Sequence, residues 1–185
     1  MKKSILRRGN SLVEFTLVGI PLLFVLISIF EVARGMWVYH TLAYAMKEAT
    51  RFVIVKGSNC IATGNSCGVT VAQVATAIQD RGVGLLPGEL NVTLSTVGGT
   101  VTCSPLSVCA ISTQTCAPLT SCTSSTTPWP TLGIPADPGS YRGNDIVITG
   151  TYPFKSAISL FWPGSGPQSF GVFLLGASSR ETIQF

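Results

Sequence analysis

The chain has 185 residues, 46% of them hydrophobic and only 11% charged, with a formal net charge of +4. That balance is too apolar for an ordinary soluble domain and suits one modest domain beside a membrane segment. Lys2, Lys3, Arg7 and Arg8 hold the whole charge excess, and beyond them cations and acids are equal in number; this excludes the basic folded surface that nucleic-acid binding needs.

In chain order, the four cations come first and an apolar run follows. Phe15 to Phe30 contains no charge and is rich in Leu, Ile, Val and Phe. With Leu12 and Val13 it reaches about the minimum length of a transmembrane helix. The span therefore covers about residues 12–30, with Pro21 tolerated inside it. Cations flanking such a span stay on the cytoplasmic side. A removable secretory signal is excluded, because Glu31-Val32-Ala33-Arg34 follows the run where a small-x-small cleavage site would have to stand.

The octapeptide Arg8-Gly9-Asn10-Ser11-Leu12-Val13-Glu14-Phe15 resembles the processing site of prepilins. With a proline six or seven residues after the Glu-Phe pair, it is similar to TadE-like proteins of the tight-adherence (Flp) pilus system. The resemblance covers residues 7–56 well and returns weakly in Asp145–Phe154 and Ala177–Gln184. It implies a leader, residues 1–9, that a membrane prepilin peptidase removes between Gly9 and Asn10. It also implies that Glu14, the fifth residue of the mature chain, meets the new N-terminal amine of a neighbouring subunit during assembly. A carboxylate placed just inside an apolar span is costly unless it is paired. A local reading stands beside this one: Ser11 and Glu14 have the spacing of a capping box that opens the helix. The implied partners are the membrane, the peptidase, other pilus subunits and inner-membrane assembly proteins. The resemblance makes the chain a structural minor pilin (pseudopilin) acting in pilus biogenesis and adherence, a substrate of the peptidase and not an enzyme.

The helix is expected to continue past the membrane to Lys56, so residues 10–56 form one transmembrane and extended helix. Val32, Met36, Tyr39, Ala43, Met46, Thr50 and Val53 recur at spacings of three and four and predict one buried face. Gly57 after Lys56 supplies the stop. Residues 57–185 then form an α+β domain, placed in the periplasm by the cytoplasmic N-terminus. A short helix is predicted over 70–81, capped by Thr70 and ended at Gly82 to Gly84. Residues 89–97 alternate as a strand with Leu90, Val92 and Leu94 inward, and 100–103 pair with it across Gly98-Gly99. Residues 145–152 form another strand, and 171–184 a further one broken near Gly176. The fold class is therefore α+β and pilin-like: a long N-terminal transmembrane helix extending into a small antiparallel sheet domain with disulfide-stapled loops.

Cys60, Cys67, Cys103, Cys109, Cys116 and Cys122 all follow the apolar run. An even count in Ser/Thr/Gly/Pro-rich sequence is the usage of an oxidising compartment. Residues 104–144 show no periodicity, and the Cys-rich loop 103–122 is expected to be stapled. Nested pairing (103 with 122, 109 with 116) is favoured slightly over sequential pairing (103 with 109, 116 with 122), with Cys60 to Cys67 closing a separate loop. Catalytic chemistry is not indicated. There is a single histidine, His40, no Cys-x-x-Cys and no phosphate loop, so no metal, cofactor or small-molecule substrate is expected. The competing reading is a permanently anchored periplasmic or surface binding domain, adhesin-like, that never enters a pilus.

Overall fold

The computed structural model of the chain describes residues 8–56, 69–97, 99–110, 129, 144–157 and 172–183. They form helices α1 (Arg8–Lys56), α2 (Val71–Arg81) and α3 (Leu106–Ala110) and strands β1 (Asn91–Thr96), β2 (Gly99–Cys103), β3 (Asp145–Lys155) and β4 (Val172–Thr182). The chain divides into two compact units, Met1–Trp37 and Val38–Phe185.

In the first unit α1 is helical from Arg8, through Pro21, with large apolar side chains exposed from Leu12 onward. The helix thus begins ahead of Ser11, which corrects the capping-box expectation. Ser11 lies within the helix and cannot be its N-cap, because an N-cap must be non-helical. The whole of α1 is about 70 Å long at 1.5 Å per residue.

The second unit is a four-stranded antiparallel sheet in the order β2-β1-β3-β4. Alternation sets its faces. Val92, Leu94, Val101, Cys103, Ile146, Ile148, Tyr152 and Phe154 are buried on one side, while Thr93, Thr102, Thr149 and Ser178 run as a polar row across the other. Leu42, Ala45, Met46, Ala49 and Val53 of α1 complete the core. They pack close at Gly150, where an added Cβ would lie 2.8 Å from the Met46 sulfur and 3.1 Å from Leu42 Cδ1. Glycine here lets helix and sheet approach.

The stripe expected on α1 is corrected in part. Met46, Thr50 and Val53 are buried and Ala43 is partly so, but Val32, Met36 and Tyr39 are exposed, and Leu42, Ala45 and Ala49 are core residues as well. Val32 and Met36 belong to the first unit, and along the length of α1 that packs on the sheet the buried face is wider than predicted, taking in Leu42 and the small residues Ala45 and Ala49, which allow close approach. Thr50 is buried without penalty because its hydroxyl donates to the Met46 carbonyl oxygen at 2.8 Å.

Helix α2 starts as expected. Thr70 and Gln73 form a capping box and Gly82 is the C-cap. The turn between Thr96 and Gly99 closes the β1–β2 hairpin, with Gly99 at φ +145°, a conformation open to glycine. Strand β4 corrects the break predicted near Gly176: that residue pairs with Thr151 inside an unbroken ladder, because continuous pairing with β3 outweighs one glycine's weak strand preference. Strand β3 runs three residues beyond Tyr152, to Lys155.

The stretch expected to lack regular structure contains α3. Cys109 on this helix is bonded to Cys103 at the end of β2. Nested pairing is thereby excluded, and the first bridge of the sequential arrangement is the one observed. Both sulfurs lie in buried residues, beside Leu106, so the short loop closes over the core. Backbone bonds from Leu106 N–H to the Leu90 carbonyl (2.6 Å) and from Ser107 N–H to the Pro87 carbonyl (3.2 Å) hold α3 against the entry to β1. Cys60, Cys67, Cys116 and Cys122 lie outside the described residues.

Candidate functional site

The residues singled out for processing and assembly sit at the start of α1. Gly9 and Asn10 have helical backbone, and the Glu14 side chain is exposed one turn further on. Around and beyond Glu14 the exposed side chains are apolar: Val13 is 58% exposed, Phe15 77% and Leu17 71%. Such a surface is stable in hydrocarbon and costly in water.

Helix α1 is the helix, among the described residues, long and apolar enough to cross a membrane. Its hydroxyls conform to the demand that polar groups be satisfied internally. Thr16 donates to the Val13 carbonyl at 2.9 Å and Ser28 to the Phe24 carbonyl at 2.8 Å. An apolar groove runs between Phe24, Val25, Ile29, Val32 and Met36 along this part of the helix.

The family comparison falls on this same stretch, since the model for TadE-like proteins matches residues 9–51. Over these residues the chain is similar to TadE-like proteins. The match begins at Gly9 and ends at Arg51, inside the part of α1 that packs on the sheet. The matched segment thus includes both the exposed apolar length of the helix and most of its buried contribution to the second unit. No curated protein and no solved structure matches the chain.

Two features of the segment were not singled out from sequence. Glu31 and Arg34 form an ion pair one turn apart, at 3.8 Å, with the Glu31 side chain only 14% exposed and Arg34 51% exposed. Trp37 stands 66% exposed at the end of the first unit. The i, i+3 spacing of opposite charges was the signal for the first. The isolated tryptophan beyond an apolar run was the signal for the second.

In the second unit the charged side chains tie elements together at the surface. Glu48 accepts from Arg51 (3.2 Å) and from Arg81 of α2 (3.4 Å). Asp145 accepts from Thr182 Oγ1 (2.7 Å) and Arg180 Nε (2.8 Å) across the β3–β4 edge, and both bonds hold its carboxyl below the usual value. Lys155 donates to Glu89, which raises the Lys155 ammonium above its ordinary value. Among the described residues no three His, Cys, Asp or Glu side chains gather where a metal ion could bind. His40 is exposed on α1, its ring edge-on to Tyr39. Trp129 is fully buried, and its backbone N–H donates to the Val69 carbonyl at 2.7 Å.

Proposed function

We propose that this protein is a minor pilin, or pseudopilin, of a Flp/Tad-type pilus, anchored in the bacterial inner membrane by α1. The single observation that carries the reading is the TadE-like match beginning at Gly9 and running along an apolar helix with an exposed carboxylate at Glu14. Leader residues 1–9 stay cytoplasmic, prepilin peptidase cuts between Gly9 and Asn10, and residues 57–185 are periplasmic. A small residue before the cut suits a peptidase that must admit the backbone, and Gly9 has no side chain to obstruct it.

Cleavage leaves an ammonium on Asn10 of one subunit, and Glu14 of a neighbour supplies its counter-charge. Pairing of these two charges within the bilayer, where opposite charges interact strongly, fixes the offset between adjacent helices. The groove between Phe24 and Met36 supplies an apolar surface for that neighbour's helix. The role is structural and in assembly, contributing to adherence through the pilus; other subunits and inner-membrane assembly proteins are the partners.

N-terminal sequencing of membrane-extracted protein tests this directly. A mature start at Asn10 is expected, and Gly9→Leu should leave Met1–Gly9 attached and abolish pilus assembly. An intact leader in piliated cells would instead favour a permanently anchored binding domain.

A further inference from the structure

Helix α1 changes character within a few residues. Between Leu12 and Met36 large apolar side chains stand exposed all round it. From Leu42 onward one face is core, and Lys47 and Arg51 lie on the exposed side. At the end of the first unit Trp37 is 66% exposed. The Tyr39 ring meets that of His40 edge-on, with centroids 5.9 Å apart.

Rings with an apolar body and one polar tip gain most where one end is dry and the other wet. That environment is the membrane–water interface, where Trp and Tyr concentrate. The position along the helix agrees. About 20 residues of helix cross the hydrocarbon, which from Leu12 ends near Glu31 and Val32. The Glu31–Arg34 pair therefore sits at the boundary, where a long cationic side chain reaches outward to phosphate while its stem covers apolar surface. Trp37 follows one turn above Arg34, and side chains on a helix lean toward its N-terminus, here back into the headgroup layer.

We propose that Trp37, with Arg34 one turn beneath it on the same helix face, is a lipid-headgroup anchor that sets the depth of α1 in the bilayer. The occupant is phospholipid: Trp37 follows directly on the apolar length of the same helix, and the Arg34 guanidinium complements lipid phosphate. The inference rests on the membrane-anchor part of the proposed function, and it is independent of processing and pilus entry.

The full chain and its Trp37→Phe variant, reconstituted in phosphatidylethanolamine–phosphatidylglycerol vesicles, provide the test. The fluorescence difference between them isolates Trp37 from Trp129 and Trp162. Nitroxide-labelled lipids then report depth, with the label just beneath the headgroup or at the acyl-chain end. An interfacial Trp37 should lose about half its emission to the shallow label and several-fold less to the deep one. Stronger quenching by the deep label overturns the proposal, as does quenching by aqueous acrylamide with no effect of either lipid label. Shielding from all three quenchers also overturns it, because a protein surface would then cover the ring. Failure of the chain to enter vesicles is a separate result, and it removes the anchor reading itself.

Discussion

Gly150 is where one missing methyl group decides how closely α1 approaches the sheet. A Cβ there would press on Met46 and Leu42 at distances that require movement. The Met46 thioether is flexible and can yield in part, so Gly150→Ala is expected to cost about 1–3 kcal/mol in denaturant unfolding of the detergent-solubilised chain. Met46→Ala in the same background should recover some of that loss, giving a non-additive double-mutant cycle. Strictly additive effects would show that the two residues are not in contact.

Asp145 makes a prediction of a different kind, in pH. Its folded-state pKa is lowered by Thr182 and Arg180, so its contribution to stability is present above the unfolded carboxyl value and is lost as pH falls through the folded one. Asp145→Asn should flatten the acid limb of a Tm-versus-pH curve, and identical acid limbs would count against the assignment. The effect is small, as expected of exposed charges. Lys155 behaves oppositely: its folded value is raised by Glu89, so its contribution holds at neutral pH and is lost as pH rises through that value.

At the scale of the element, α3 is the clearest case of structure imposed by a covalent link. It has five residues, too few to hold a helix alone. The Cys103–Cys109 bridge and the backbone bonds from Leu106 and Ser107 hold it in place. A loop with a sequence separation of 6 restricts the unfolded chain by about 2 kcal/mol on the loop-entropy scale. Replacing both cysteines by alanine should lower stability by about that amount, measured against the oxidised chain. Helix α2 is held by local chemistry instead, and Thr70→Ala should cost about 1 kcal/mol by removing the Thr70 half of its capping box.

For the whole molecule, residues 1–9 carry the entire charge excess. Loss of Lys2, Lys3, Arg7 and Arg8 takes the formal charge from +4 to zero. Processing should therefore shift the protein acid-ward on isoelectric focusing, and Gly9→Leu should hold it at the basic position. A mature form focusing with the unprocessed chain would contradict cleavage at Gly9.

Local pattern was enough for much of this architecture. The charge-free run with its preceding cations, the Thr70 cap, the alternation of Leu90, Val92 and Leu94, and the motif around Gly9 are all signals carried by residues near one another in sequence. They depend on helix and strand periods and on capping chemistry, which are short-range. What only the tertiary structure decided was that Leu42, Ala45 and Ala49 join Met46 and Val53 in the core, that Gly150 is the point of close approach, that β4 is continuous through Gly176, and that Cys103 bonds to Cys109. Those outcomes depend on which surfaces meet. Helical spacing does not fix how wide a buried face is, and cysteines spaced 6, 7 and 6 apart offer no local preference among their partners. The choice is made by the shape of the sheet against which they pack.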